Sequence, residues 1–153
     1  MTRESVRILG IRVDAITFDD MLDQIGAWIQ DGGPHQICTV NPEFVMEARH
    51  NPAFAAVLEA ADLCIPDGVG LLWAARRLGR RLPERVTGSD GVPLIARRAA
   101  EQGWRLFLLG AAPGVAERAG ARLVELFPAF RSLAPMPVPH PMRTHPRFWH
   151  VSP

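Results

Sequence analysis

The stretch that decides the fold covers residues 37–68 and reads ICTVNPEFVMEARHNPAFAAVLEAADLCIPDG. It opens and closes with short, mainly apolar runs, Ile37–Val40 and Leu63–Ile65, which are typical of strands buried on both faces. Between them, Asn41-Pro42 and Asn51-Pro52 each place a cap residue before a proline at the first helical position. The stretch therefore predicts a strand, two helices and a second strand.

The flanking sequence continues this alternation. Further strands are predicted at Val6–Val13 and Trp104–Leu109. Cap residues and apolar spacing predict helices over residues 17–32, 69–78, 90–102 and 113–127. The segment 69–78 is so apolar that it predicts a buried helix. Strands and helices in this order indicate an α/β fold, a Rossmann-like parallel sheet with helices on both faces.

The composition is that of a globular domain, and it excludes several kinds of chemistry. The 153 residues include 17 arginines, no lysine and 16 acids, for a formal net charge of +1. This balance gives no reason to expect a nucleic-acid partner. Without lysine there is neither a Schiff base nor a P-loop. Cys38 and Cys64 lie in apolar runs and are predicted to be buried thiols. There is no membrane-spanning run and no signal peptide, so we expect a cytoplasmic domain.

The composition changes abruptly after Phe130. Residues 131–153 contain six of the 14 prolines, three of the five histidines and no acid. A segment of this kind has no helix or strand period and little to bury. We therefore predict an α/β domain at 1–130 and an irregular Pro/His-rich tail at 131–153. The tail is either a disordered extension or a foreign reading frame in place of the native C-terminus.

Polar loops at the carboxyl ends of the strands are the candidate site, because open parallel sheets bind ligands there. Asp67 directly follows a strand and is either the N-cap of the next helix or a general base. Asn41 either caps the helix that Pro42 begins or contacts a substrate. Arg85 is either a surface ion-pair residue or a clamp for a diphosphate beside a helix start. Gly110 ends a strand where a nucleotide phosphate could approach the backbone.

Several sharper patterns are missing. Trp73 interrupts a Gly-x-Gly-x-x-Gly pattern, and residues 88–91 lack the spacing of a serine-hydrolase nucleophile. There is no Asp-x-Asp pair, and three histidines fall in the proline-rich tail, so we expect neither a metal site nor a cofactor. The arginines that end the helix at 69–78 either complement its dipole or contact anionic lipid. They are Arg76, Arg77, Arg80 and Arg81.

Four strings in this chain resemble the WecB/TagA/CpsF glycosyltransferase family, the N-acetylmannosaminyltransferase-like enzymes of bacterial surface polysaccharide synthesis. The strings are TVNPE at 39–43, ADLCIPDGVG at 61–70, ERVTGSD at 84–90 and FLLG at 107–110. Their order and spacing extend the resemblance over residues 8–130. Each string alone is weak, whereas the combination is specific.

The resemblance implies a role for each matched position. Asp67 corresponds to the base that deprotonates the acceptor hydroxyl, and Arg85 to the group that stabilises the departing diphosphate. Further positions implied to bind substrate are Thr39, Asn41, Gly68, Thr87, Gly88, Asp90 and Gly110. A single displacement with inversion needs only a positioned carboxylate and a cationic clamp.

The resemblance also implies a reaction and partners. The family transfers a sugar, here N-acetylmannosamine or a related hexose, from a UDP-sugar to a polyprenyl-diphosphate-linked acceptor without a required metal. Such an acceptor implies peripheral contact with the inner membrane face, and homo-oligomerisation stays open. Family members continue beyond the position of Phe130, so we expect an incomplete domain. Two alternatives stay open: a truncated, non-catalytic nucleotide-binding module, and another α/β nucleotide-dependent enzyme such as an NAD-linked oxidoreductase.

Overall fold

The computed structural model describes residues 4–133, with the backbone alone for residues 131–133. The strands are β1 (Ser5–Ile8), β2 (Ile11–Asp14), β3 (Ile37–Val40), β4 (Leu63–Pro66), β5 (Arg105–Phe107) and β6 (Arg131–Leu133). The helices are α1 (Phe18–Asp31), α2 (Pro42–Ala48), α3 (Pro52–Ala60), α4 (Val69–Arg77), α5 (Gly88–Gln102) and α6 (Val115–Leu126). β1 pairs with β2 antiparallel, whereas β3 with β4 and β5 with β6 pair parallel. The predicted α/β class is confirmed. The chain divides into two compact units between Val92 and Pro93.

The N-terminal segment is a hairpin, and the prediction of one strand at Val6–Val13 was wrong. Leu9 and Gly10 form the turn between β1 and β2, with φ of +48° and +90°. Two-residue hairpin turns need this left-handed backbone, which glycine adopts without strain. Because Leu9 is apolar, nothing in the composition of the run marks the turn except the glycine.

The paired strands β3 and β4 form the centre of the first unit. They lie in register from Ile37 opposite Leu63 to Val40 opposite Pro66. All four residues of β4 are buried, and Val40 has no exposed surface. β4 is therefore buried on both faces, as its apolar run predicted, whereas in β3 only Cys38 and Val40 are buried and Ile37 and Thr39 are half-buried.

The helix starts predicted from cap residues are confirmed. Thr17 and Asp20 make a reciprocal capping box at the start of α1, and Gly32 ends that helix in the left-handed conformation. Asn41 and Asn51 cap α2 and α3, where each amide oxygen accepts a backbone N–H three residues on, at 2.8 and 3.1 Å. These local bonds satisfy N–H groups that have no partner within their own helix.

A buried carboxylate fastens the hairpin to β4. Asp14 is 5% exposed and accepts the backbone N–H of Cys64 at 2.7 Å. Arg12 lies beside it, with Nε 3.6 Å from Asp14 Oδ1, and donates to the Ala61 carbonyl and the Cys64 sulfur. A buried charge needs such partners, because an unpaired one costs several kcal/mol of desolvation. Sequence patterns did not identify Asp14, whose partner is fifty positions away.

The two cysteines are free and buried, as predicted. Cys38 and Cys64 lie opposite each other in the register of β3 and β4. Burial raises the pKa of both thiols. They therefore stay protonated near neutral pH, where a thiol is a poor nucleophile.

The second unit begins inside α5, at Pro93. Its strands β5 and β6 lie in register from Arg105 opposite Arg131 to Phe107 opposite Leu133. Its buried cluster consists of Ala96, Ala99, Leu123 and Phe130.

The strand β6 lies beyond the domain boundary that we predicted at residue 130. Residues 131–133 were assigned to an irregular tail, yet their backbone pairs with β5. The assignment failed because composition reports local preference, whereas this strand is stabilised by a partner more than twenty positions earlier. The rest of the predicted tail, 134–153, lies outside the described residues.

The helix α4 is not the buried helix that its composition predicted. Leu71 and Ala75 are buried, but Val69 is 71% exposed and Trp73 is 66% exposed. An apolar helix can face the core with one side only, and its composition does not report what covers the other side.

We expect Asp14→Ala to unfold the first unit far more easily. The change leaves Arg12 without its buried partner and the Cys64 N–H without an acceptor, which typically costs about 3–5 kcal/mol. Urea denaturation measures this loss. Glu59→Ala is the control, because it removes the exposed Arg7–Glu59 ion pair (2.7 Å), which solvent screens, and should cost much less. Equal losses in the two variants would contradict the role given to Asp14.

Candidate active site

The candidate site lies where β3 and β4 end side by side. Val40 is opposite Pro66 in the parallel register, and the Asp67 N–H donates to the Val40 carbonyl at 2.7 Å. This bond extends the pairing by one step beyond β4. Asn41 and Asp67 therefore leave adjacent strands at the same edge, as the rule for parallel sheets predicted.

Asp67 is not the cap of α4. The N-cap is Gly68, which has φ +131° and makes no side-chain cap bond. Instead, Asp67 Oδ2 accepts the backbone N–H of Gly88, the first residue of α5, at 3.2 Å. The half-buried carboxylate thus faces the start of a helix that lies 21 positions further along the chain.

The loop before α5 lies along the second edge of β4. The Val86 N–H donates to the Pro66 carbonyl at 2.9 Å. Thr87 is 4% exposed and caps α5, since its hydroxyl accepts the Asp90 N–H at 3.1 Å and donates to Asp90 Oδ2 at 2.7 Å. The matched positions Thr87 and Asp90 therefore hold the helix start in place beside Asp67.

Thr39, Asp67 and Gly88 converge on one point. A Cβ built on Gly88 would lie 3.1 Å from Thr39 Cγ2 and 3.9 Å from Asp67 Oδ2. Residue 88 therefore has room for a hydrogen but is too close to Thr39 for a side chain without adjustment. The structure brings together three positions that lie in three separate strings of the sequence.

Arg85 stands at the exposed side of this edge. Its side chain is 49% exposed, and Nη2 lies 3.6 Å from Asp90 Oδ2. The ion-pair interpretation is therefore seen in the structure, with Asp90 as the partner. The neighbouring Glu84 accepts the Phe18 N–H at 2.9 Å and fixes the start of α1.

Gly68 and Gly70 have a role that we did not predict. A Cβ on Gly68 would lie 3.3 Å from Pro42 Cδ, and one on Gly70 would lie 3.1 Å from Pro42 Cγ. Both glycines thus permit the first turn of α4 to pack against the first residue of α2. In the sequence, the two glycines formed an incomplete dinucleotide pattern and part of the family string at 61–70, and close packing of two helix starts gives their spacing a structural reason.

Gly110 belongs to the second unit, whereas the other predicted site residues belong to the first. Its φ of +100° and that of Gly114, +78°, are conformations that glycine adopts readily. Gly114 is the N-cap of α6, again without a side-chain bond. Residues 110–114 are exposed or half-buried and lead directly into α6, as a phosphate-binding loop would.

Residues 4–133 contain no group of three or more His, Cys, Asp or Glu side chains placed to hold a metal ion. Nor does any helix in that range have the length and apolar character needed to cross a bilayer.

Known proteins resemble this chain over most of its length. A model of the glycosyl transferase WecG/TagA/CpsF family matches residues 6–139. A Bacillus spizizenii protein named N-acetylglucosaminyldiphosphoundecaprenol N-acetyl-beta-D-mannosaminyltransferase is 36% identical over 92 residues, 60% of this chain and 36% of that protein. A Staphylococcus aureus (strain NCTC 8325) protein of the same name is 30% identical over 125 residues, 80% of this chain and 49% of that protein. The chain thus spans about half the length, or less, of these curated relatives.

We expect Gly88→Ala to destabilise the chain by about 1 kcal/mol in urea denaturation. The new methyl group presses on Thr39 Cγ2, and overpacking costs roughly 1–3 kcal/mol against at most ~1 kcal/mol that alanine gains in a helix.

Thr39→Ser provides the matched background, because serine lacks Cγ2. In that background the same Gly88→Ala change should become neutral or stabilising. A double-mutant cycle isolates the coupling between the two positions. An equal cost in both backgrounds would show that the two side chains do not press on each other.

Proposed function

The chain belongs to the WecG/TagA/CpsF glycosyltransferase family, and we propose that it transfers a hexose from a UDP-sugar to a polyprenyl-diphosphate-linked acceptor. The observation that carries this proposal is the convergence of Thr39, Asp67 and Gly88 at the carboxyl edge of β3 and β4, inside the family match. Both relatives act, by their names, on N-acetylglucosaminyl-diphospho-undecaprenol. An acceptor of that kind and an N-acetylmannosamine donor are the substrates that we propose here.

The proposed reaction is one displacement at the anomeric carbon. The acceptor hydroxyl loses its proton to a carboxylate, and its oxygen attacks the anomeric carbon from the face opposite the leaving group. The bond from that carbon to the diphosphate oxygen breaks, and UDP leaves with the electron pair. The configuration inverts, the proton resides on the carboxylate, and charge develops on the departing diphosphate.

Asp67 is the carboxylate that we assign as the base. The Gly88 N–H holds Oδ2 at 3.2 Å, which fixes the orientation of the side chain and leaves Oδ1 to face the acceptor. The residue is half-buried at the edge of the sheet and so keeps partial contact with solvent, while its backbone is fixed to Val40. A base needs this combination of access and fixed geometry.

Arg85 is the residue that we assign to the leaving diphosphate. At 3.6 Å and half-exposed, its ion pair with Asp90 is weak. A diphosphate offers more charge and oxygen pairs that match the planar guanidinium. Asp90 therefore orients Arg85 while the site is empty and releases it to the donor. The start of α5, capped by Thr87, lies beside the same edge of β4 as Arg85, because Val86 bonds the Pro66 carbonyl.

The remaining assignments follow from the same edge. We place Thr39, Asn41, Gly68, Thr87, Gly88 and Asp90 at the donor pocket of the first unit. For Gly110, in the second unit, we propose a contact between its backbone and a nucleotide phosphate. Asn41 already uses Oδ1 to cap α2, which leaves its amide N–H groups for substrate. We propose that the protein acts at the cytoplasmic face of the membrane, where a lipid-linked acceptor is accessible.

A transfer assay tests the proposal. The chain is incubated with UDP-N-acetylmannosamine and N-acetylglucosaminyl-diphospho-undecaprenol, and the lengthened lipid product is measured beside calorimetric titrations with UDP and NAD. Product formation with UDP binding supports the proposal. UDP binding without transfer would indicate a nucleotide-binding module, and binding of NAD alone would indicate a different enzyme.

We expect Asp67→Asn to lower the transfer rate by about 10²–10⁴-fold, because an amide cannot accept the proton. Asparagine keeps an oxygen that can accept the Gly88 N–H, so stability and UDP binding should change little. Single-turnover rates and UDP titration measure the two effects separately. Near-normal transfer by this variant would limit Asp67 to holding the start of α5.

We expect Arg85→Lys to lower kcat/KM for the donor by about tenfold or more. Lysine keeps the charge but loses the planar pair of donors, and a hydrogen bond to a charged group contributes roughly 1.5–3 kcal/mol. Arg97→Lys is the control, since Arg97 is similarly exposed and pairs with Glu101 on α5. Equal donor kinetics in the two variants would show that Arg85 only forms a surface ion pair and does not bind the donor.

A further inference from the structure

The outer side of α4 carries large apolar side chains in contact with solvent. Val69 and Trp73 lie four positions apart, on one stripe of the helix, and are 71% and 66% exposed. Leu78, which follows the helix, is 56% exposed. Most exposed apolar residues stand singly, so an exposed tryptophan continued by two aliphatic side chains indicates a binding surface.

The same stripe is basic. Arg76 and Arg77 are exposed at the end of α4, and Arg80 and Arg81 follow it, while the helix itself contains no acid. The guanidinium of Arg77 lies over the Trp73 ring, 5.9 Å from its centroid. Among these four arginines, an acidic partner is seen for Arg80, whose guanidinium lies 3.7 Å from Glu4 in an exposed pair.

The inner side of α4 holds the helix firmly. Leu71 and Ala75 are buried in the core of the first unit. Pro42 contacts the first turn, as the close approach at Gly70 shows, and the Arg80 N–H closes the other end on the Ala75 carbonyl at 2.9 Å. The exposed stripe is therefore a surface of fixed shape.

We infer that α4 is the surface by which this chain docks on an anionic lipid bilayer. Tryptophan prefers the interface between headgroups and acyl chains, aliphatic residues enter beside it, and arginines attract anionic headgroups. A second copy of the chain fits this face poorly, because a two-fold contact would bury the arginines of both copies while α4 offers no acid to pair with them.

Docking through α4 also brings the candidate active site close to the membrane surface. The helix has nine residues and is about 13 Å long, and it begins two positions after Asp67. The proposed base therefore lies within one short helix length of the lipid headgroups, where the diphosphate of a lipid-linked acceptor resides. This consequence rests on the proposed function, whereas docking on lipid does not.

The test is co-sedimentation of the 153-residue chain with vesicles of phosphatidylcholine and phosphatidylglycerol in equal amounts. We expect binding that weakens with added salt and is much weaker on phosphatidylcholine alone. Arg76→Gln with Arg77→Gln should weaken binding about twentyfold or more, at about fivefold for each arginine. Trp73→Ser should weaken it several-fold on the same vesicles.

Arg97→Gln with Arg122→Gln is the matched control, since both arginines are exposed and lie on other helices. An equal loss in this control, or no binding by the unaltered chain, would overturn the inference. So would a Trp73→Ser variant that changes the oligomeric state and not the binding, because the face would then be a contact between copies.

A soluble acceptor with a short prenyl chain separates this inference from the proposed function. The α4 variants should transfer normally to it and poorly to an acceptor embedded in vesicles. Vesicle binding with no transfer to either acceptor would refute the proposed function alone. Transfer to both acceptors without α4-dependent binding would refute docking alone.

Discussion

The structure of the first unit depends on satisfying the backbone of β4, which is buried along its whole length. On the side of β3, the Leu63 N–H donates to the Gln36 carbonyl, and Asp67, the residue after β4, donates to the Val40 carbonyl. On the opposite edge of β4, the Cys64 N–H and the Pro66 carbonyl each bond a different segment of the chain. Cys64 donates to the Asp14 carboxylate, and Pro66 accepts the Val86 N–H. Since a buried N–H or C=O without a partner costs about 1–3 kcal/mol, both the hairpin and the loop before α5 are held against this strand.

That requirement also builds the site. Because Val86 must reach the Pro66 carbonyl, the residues after it begin α5 next to the end of β4. Gly88 then lies within hydrogen-bond distance of Asp67 and close to Thr39. Arg85, one position before Val86, is held at the exposed side of the same edge. The hydrogen bonds at the buried end of β4 thus position both Asp67, the proposed base, and Arg85, the proposed diphosphate clamp.

Features that depend on neighbouring residues, and those implied by the family strings, could be predicted from the sequence. Caps at Thr17, Asn41 and Asn51 were predicted because each bonds a residue three positions away. The strand β6 and the bond between Asp67 and Gly88 were not, because each joins segments more than twenty positions apart. The prediction that α4 is buried was wrong, because an apolar composition does not determine which elements pack against each side of a helix. Residue patterns alone predicted an α/β fold with polar loops and left two interpretations open for Asp67 and for Arg85, whereas the reaction and its substrates came only from the family resemblance.

Gly68 forms the turn between β4, which ends at the candidate site, and α4, which carries the exposed stripe. With φ of +131° and a helix start with no side-chain cap, it turns the chain from β4 directly into α4. A residue with a side chain would be strained at that φ, and its Cβ would also lie 3.3 Å from Pro42. A capping aspartate at 68 would satisfy the helix but lose this turn. Because glycine occupies the cap, the carboxylate of Asp67 is not needed by α4 and can bind α5 instead. Gly68 thus lies between the proposed base, which bonds the start of α5, and the helix that carries the exposed stripe.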